Sequence, residues 1–219
     1  YSQIELRLLA HLSGDELLIE SFIRGDDIHT ETAARIYNID PVFVTQAMRR
    51  QAKAVNFGIV YGMGFYGLAK EIGVSPQDAK EMIAKYFGLY KGVARYIDQV
   101  KALAREKGYA ETMWQRKRHI PELLSKNRKE KEFGERVAVN MPIQGSAADL
   151  IKKAMLGIAK NLPPSAKMLL QVHDELIFEV KENYLTEVSP IIIDCMQNVV
   201  KLKVPLIVNI SSGKNWGEL

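Results

Sequence analysis

The sequence predicts an α+β fold in which a long helical stretch leans on a small antiparallel sheet. Three observations predict it. Apolar residues recur at helical spacing over most of residues 5–107. "KMLLQVHDELIFEV" at 167–180 instead alternates in period two around His173-Asp174-Glu175, the pattern of a β-hairpin with a very tight turn. A second β-rich run, "VPLIVNISS", follows at 204–212 and reads as a last strand.

Taken in order, Tyr1, Ile4, Leu6, Leu8 and Leu9 are placed like the end of a buried strand entering a helix. Residues 5–24 read as helix, interrupted at "SGD" by a turn or a fresh cap. "DDIHTETAARIY" starts another helix, with Asp27 or Thr30 as its cap. A long helical pattern runs from Asp40 to about Gly62, then two helices at 66–72 and 76–87 around a "GVSP" turn, then one at 90–107 that stops at Gly108. The segment 115–136 contains Pro121 and few periodic apolar residues, so it reads as mostly loop with short helical turns. A helix is expected over 135–160, beginning near Met141-Pro142, and another over 183–201.

Composition sets bounds. The 219 residues are 47% apolar and 26% charged, which describes a chain able to bury a real core. No run approaches the roughly 18 apolar residues of a membrane span, and no signal-peptide pattern opens the chain. The single Cys195 makes no disulfide framework and no zinc cluster, and reads as a core thiol. The expectation is a cytoplasmic protein without a membrane partner. Net charge is +4. The segment 115–136 holds eight Lys/Arg against four Glu, a surplus equal to that of the whole chain. A localised basic block fits a phosphate-backbone footprint, though charge runs are commonly plain solvated faces.

Three stretches carry chemistry. In "RRQAKAVNFGIVYG", Arg49, Lys53, Phe57 and Tyr61 recur every four residues and form one slowly drifting helical stripe. Two stacked cations repel unless an anion lies over them, and a triphosphate is such an anion. The aromatic residues beyond would then lie beside its sugar and base. The plainer alternative is an amphipathic helix whose cations reach water. In "QVHDELIFEV", Asp174 and Glu175 sit at the hairpin tip with apolar residues on both sides, which favours desolvated, functional carboxylates. Hard oxygen ligands of this kind suit Mg²⁺ held together with substrate phosphates; simple turn chemistry is the alternative. In "RVAVNMPIQGSAADLIKKAM", Arg136, Asn140 and Gln144 are four apart, and the Asn140 and Gln144 amides could donate to the minor-groove acceptors that every base pair shows. Polar residues capping a kinked helix at Pro142 explain that segment about as well.

The segments "YSQIELR", "RRQAKAVNFGIVYG", "NMPIQGSAADLIK" and "QVHDELIFEV", in this order, resemble the signature motifs of family A DNA polymerases, and the resemblance runs through the whole chain. It implies a right-hand polymerase fold fragment: residues 1–14 as palm, 15–115 as mostly helical fingers, and 116–219 as palm with a basic connecting loop. It implies template-directed transfer of deoxynucleotides to a primer 3′-OH, two Mg²⁺ ions, and primer-template DNA and deoxynucleoside triphosphates as partners. Asp174 resembles a metal ligand, with Glu175 as its acidic neighbour in a lesser role and the Tyr1 carbonyl touching the metal that escorts the triphosphate. Gln3, Glu5, His29, Arg49, Lys53, Phe57 and Tyr61 match nucleotide contacts. Of these Glu5 matches the residue that blocks a ribose 2′-OH, and Lys53 a proton donor to leaving pyrophosphate. Tyr61, Gly62, Arg116, Lys117, Arg118, Arg136, Asn140, Gln144 and His173 match DNA contacts. In the family an Asp precedes Tyr1, so the second carboxylate and the thumb are expected in a missing amino-terminal portion, and this chain alone is expected not to polymerise. Where the family has Gly-Arg-Arg the chain has Gln115-Arg116-Lys117, and Gln lacks glycine's φ freedom.

Three alternatives compete. "GLAKEIGVSPQDAKEMIAKYF" at 67–87 reads as a helix-turn-helix with Gly73 in the turn and Ser75 as cap, the mark of a sequence-specific DNA-binding module. That leaves the Arg49–Tyr61 stripe and the His-Asp-Glu hairpin unexplained. A single-subunit RNA polymerase relative is opposed by Glu5 and Phe57, and an inactive structural homologue by Arg49, Lys53 and Asp174.

Overall fold

The computed structural model describes residues 1–218. Its order is α1 (Ile4–Ser13), α2 (Glu16–Arg24), α3 (Ile28–Tyr37), α4 (Gln46–Val60), α5 (Phe65–Ile72), α6 (Pro76–Leu89), α7 (Lys91–Lys107), β1 (Tyr109–Glu111), β2 (Lys117–His119), α8 (Arg128–Asn140), α9 (Ser146–Asn161), β3 (Ala166–Val172), β4 (Glu175–Val180) and α10 (Leu185–Gln197). The α+β class holds, with two separate two-stranded antiparallel sheets, β1-β2 and β3-β4. No described helix is long and apolar enough to cross a membrane.

Caps place the helix starts. Asp15 opens α2, Asp27 opens α3, Thr45 opens α4 and Ser75 opens α6, each side chain accepting from a backbone N–H of the first turn. Of the two candidates for α3, Asp27 is the cap, bonding the His29 and Thr30 amides. The pattern from Asp40 divides into a 3₁₀ turn at Pro41–Phe43 and then α4. Glycines at 14, 25, 73 and 108 end helices with φ between 61° and 78°.

Helix α1 is the axis of the main core. Leu6, Leu8, Leu9 and Ala10 are essentially inaccessible, and α1 touches α2, α4, α7 and α9. Arg7 is buried with them, donating from Nε to the Ser2 carbonyl (2.9 Å) and from Nη1 to that of Pro205 (2.6 Å), over the Phe22 ring. Burial lowers that guanidinium to about 10. A second core joins α9 and α10 to the β3-β4 hairpin through Ala154, Ile158, Val188, Ile192 and Met196. A third, smaller one joins the end of α7, Ile120 and Leu123 to α8.

Four expectations are corrected. The segment 115–136 is not mostly loop, because Lys117–His119 pair with Tyr109–Glu111 and α8 already begins at Arg128, capped by Asn127. The charged run concealed α8 since its buried face is narrow: Gly134, Ala138 and Val139. A Cβ on Gly134 would lie 3.0 Å from the Leu123 nitrogen, so a larger residue would have to push the 122–123 backbone back by a few tenths of an ångström. The expected helix start at Met141-Pro142 is instead a π-helical turn, Met141–Gly145, joining α8 to α9 without a break. Pro142 has no N–H to offer the α ladder, and the π turn accommodates that loss. Neither terminal segment is a strand. Residues 204–212 share one backbone bond with the start of the chain, from the Ser2 N–H to the Ile207 carbonyl (2.8 Å), too little for a ladder. Finally, Cys195 is only half-buried, at the edge of the second core.

Candidate nucleotide and nucleic-acid site

The stripe on α4 forms as its spacing requires. Arg49 Nε donates to Asp27 Oδ2 at 2.7 Å, so the carboxylate that caps α3 also anchors α4. Burial alone would raise Asp27. The Arg49 hydrogen bond and the His29 and Thr30 amides outweigh it and hold the carboxyl below its ordinary value. Lys53 stands exposed one turn on. The Phe57 ring lies 5.8 Å from that of His29 and 6.3 Å from that of Tyr61, the latter pair nearly parallel at 19°.

His29 is buried at the centre of this face, and a polar relay fixes it. The Thr32 hydroxyl donates to the Ile28 carbonyl (2.7 Å) and faces the hydroxyl of Tyr90 (3.1 Å). Asn56 Nδ2 then reaches both Thr32 Oγ1 (3.2 Å) and His29 Nδ1 (3.0 Å). With Nδ1 accepting, Nε2 carries the ring proton and is a donor. Burial pushes the imidazole down to about 4; the Arg49 and Lys53 charges add to this and Asp27 opposes it. The ring is therefore neutral at pH 7. Asn56, fully buried, was not singled out in the sequence, because it lies off the cationic stripe.

A second group gathers around Glu5 on α1. Its Oε2 is buried without a hydrogen-bond partner. Burial raises this carboxyl above the usual range; nearby Tyr61 and Gln144 pull it back, and the Asp174 charge adds to the rise. Tyr61 is raised too, by burial first and then by the Glu5 charge. Glu5, Tyr61, Gln144 and Asp174, distant in sequence, thus share one electrostatic neighbourhood. Gly62 sits at φ +63°, and a Cβ there would lie 3.1 Å from Arg136 Cα and Cγ, so the end of α4 rests directly on α8. Asn140 Nδ2 reaches the Val60 carbonyl at 3.5 Å across the same seam.

The hairpin closes the site. Val172 pairs with Glu175, leaving His173-Asp174 as a two-residue turn. His173 has φ +54° and Asp174 is not in that region, the sign pattern of a type II′ turn with histidine in glycine's usual place. The Tyr1 nitrogen donates to the Asp174 carbonyl (3.0 Å) and the Tyr1 hydroxyl to that of Met196 (3.0 Å), joining the first motif to the hairpin. Gln3, with φ +52°, introduces α1 beside it. The expectation of two desolvated carboxylates fails in part: Asp174 is half-buried and Glu175 exposed, as a two-stranded ribbon has too few neighbours to cover both. Asp174 with the adjoining Tyr1 backbone suits one hard cation shared with phosphate oxygens. Among the described residues no three His, Cys, Asp or Glu side chains converge as a metal site, so a pair of ions needs further oxygen ligands.

The basic turn packs against the start of α9, next to Gln144 in the chain. Lys117, Arg118 and His119 are exposed on β2, and Lys117 stands over the Tyr109 ring at 4.6 Å. Arg116, though its side chain stays largely exposed, bonds to Asp149, a buried carboxylate of α9 not singled out in the sequence. Gln115 does take the left-handed conformation that glycine would favour, at φ +63°. The 67–87 segment is a helix-turn-helix in shape, with Gly73 at φ +70° and Ser75 capping α6. Its second helix buries Ala79, Met82 and Tyr86, and its exposed first turns carry Asp78, Lys80 and Glu81, without the net positive charge that favours a groove.

Residues 1–218 match the family model for DNA polymerase family A. The chain is 47% identical over 219 residues to DNA polymerase I of Geobacillus stearothermophilus and 48% identical to that of Bacillus subtilis, covering 99% of this chain and 25% of each relative. It thus spans about a quarter of the length of the curated relatives it matches. A solved structure of the polymerase domain of Pol1 from M. smegmatis, in complex with DNA primer-template and dNTP, superposes with a TM-score of 0.94 at 43% identity, covering 99% of this chain and 39% of that one.

Proposed function

The chain belongs to DNA polymerase family A, and we propose that it forms the part of such an enzyme that holds the incoming deoxynucleoside triphosphate against the primer end, with residues 15–115 as fingers and 1–14 and 116–219 as palm. One observation carries this reading. The cation-cation-aromatic-aromatic stripe of α4 ends at Tyr61, which with Glu5 and Gln144 lies in the electrostatic neighbourhood of Asp174, and this proximity supports one site for triphosphate and acidic turn. The M. smegmatis relative, solved with primer-template and dNTP, supports the same partners here.

On this reading Arg49, Lys53 and the Nε2–H of His29 grip the triphosphate oxygens. A neutral His29 adds a directed donor without adding charge. Phe57 lies against the sugar, and Glu5, with Tyr61 beside it, fills the space a 2′-OH would need. Lys53 is the group placed to give a proton to the departing pyrophosphate. Tyr61 and Gly62 meet the template, while Arg136, Asn140, Gln144 and His173 face the primer-template duplex and the basic turn its phosphates. Mg²⁺ bound at Asp174 and the Tyr1 carbonyl would polarise the reacting phosphate, and a second ion requires the upstream carboxylate expected in the rest of the polymerase.

Equilibrium binding of a deoxynucleoside triphosphate tests this. Arg49→Ala and Lys53→Ala should each weaken binding roughly tenfold or more, as loss of a charge-assisted hydrogen bond implies. Arg50→Ala, exposed and off the stripe, is the control. Equal losses in all three would reduce the stripe to an ordinary solvated face.

A further inference from the structure

We infer that Asp149 and Arg116 form a positioning pair that locks the basic turn to the helix carrying Gln144, and that Arg116 serves this tether and not a DNA phosphate. The inference rests on the polymerase reading only for what the turn and helix do with DNA.

The geometry is a ladder. Gly145 precedes α9, and Ser146, Asp149 and Lys153 lie at i, i+3 and i+7 on one face of its first half. Each meets the 112–116 turn. Thr112 Oγ1 donates to Asp149 Oδ2 at 2.8 Å, and Arg116 Nε and Nη2 both reach Asp149 Oδ1 at 2.7 Å. Ser146 Oγ accepts the Met113 N–H at 2.9 Å, and Lys153 stands 5.1 Å from the Trp114 ring. A Cβ on Gly145 would lie 2.6 Å from Thr112 Cγ2, so the turn is seated on the helix backbone itself. Thr112 Oγ1 also accepts from the Trp114 and Arg116 amides (3.2 Å each), which holds the turn's own shape.

Asp149 is 6% exposed. A carboxylate that buried needs its cation, and losing one partner of such a pair costs far more than losing an exposed one. Arg116 therefore stays with Asp149 instead of reaching for a phosphate, while Lys117 and Arg118 on β2 remain free to do so. Gln144 follows directly before Gly145, in the π turn that this ladder ends. The pair thus sets the distance between cations that track a phosphate backbone and an amide that faces the Glu5 neighbourhood.

Two readouts separate a tether from a phosphate contact. The first needs no DNA: backbone hydrogen exchange of the chain. Asp149→Asn should speed exchange in 112–116 and 141–146 while leaving α2 and α3 unchanged; unchanged exchange in those two segments would overturn the inference. The second is the salt dependence of binding to plain duplex DNA. Lys117→Gln and Arg118→Gln should each reduce the slope of log K against log salt by about 0.9. Arg116→Gln should leave the slope intact yet weaken binding to a primer-template junction. Arg116→Lys, which keeps the charge and loses the fork, should fall with Arg116→Gln at the junction. A slope reduced by Arg116→Gln as much as by its neighbours, or wild-type junction binding by Arg116→Lys, would make Arg116 a phosphate contact after all. The Arg116 side chain is 59% exposed, so its variants keep the test available if Asp149→Asn fails to fold. A wild-type chain with no preference for the junction would sink the polymerase reading, and exchange and slope would still decide the pair.

Discussion

His29, Gly62 and Gln115 show how much of this site is decided one residue at a time. His29 has an ordinary value near 6.5 lowered to about 4, so between those values the unfolded chain takes up a proton that the folded chain refuses. Stability should fall as pH drops through that window. The fall between pH 7 and 4.5, followed by thermal unfolding, should be shallower for His29→Asn; identical acid losses would contradict a buried neutral imidazole. Gly62→Ala places a side chain at φ +63° and against Arg136, and should cost about 1–2 kcal/mol from the left-handed conformation alone, measured by urea unfolding. Gln115→Gly should do the reverse and gain up to about 1 kcal/mol, since the chain already holds that residue left-handed. The sequence showed the stripe on α4, because spacing of four is local information. It could not show that Arg116 bonds to Asp149, because a free and a paired arginine look alike until the helix opposite is in place.

At the scale of elements, one carboxylate joins two helices. Asp15 accepts from Leu18 N–H to start α2 and from Gly92 N–H at 2.7 Å and Val93 N–H at 3.4 Å to start α7. Gly92 is the only residue type that fits there, since a Cβ would lie 2.7 Å from Asp15 Cα. Asp15→Ala removes both caps and leaves buried amides unsatisfied, so a loss of about 2–4 kcal/mol is expected in denaturant unfolding. A loss below about 1 kcal/mol would mean that water replaces the carboxylate. Helices with broad apolar faces and conventional caps were readable from the sequence. Helix α8 was not, because it docks through Gly134 and Ala138 and shows no apolar stripe. The 204–212 run was misread for the opposite reason: β-branched residues signal an extended chain, but a strand also requires a neighbour to pair with.

Across the whole molecule, the arrangement is a helical body whose buried axis, α1, brings Glu5 beside Tyr61 at the end of α4 and within reach of the Asp174 charge. Buried arginine, aspartate and asparagine side chains fasten this frame at Arg7, Asp15, Asn56 and Asp149, and apart from Asp15, at the expected cap in "SGD", no spacing marks their long-range partners. That is why the fold class and the α4 motif were legible while the fastening was not. The central claim is that the α4 face and the Asp174 turn act together in nucleotide transfer. Primer extension with Mg²⁺ and four deoxynucleotides tests it most directly, comparing this chain alone with the chain joined to the upstream portion of a family A relative. The account predicts extension by the joined protein only, abolished by Asp174→Ala. Extension that survives Asp174→Ala, or no extension together with tight binding to a single duplex sequence, would contradict it.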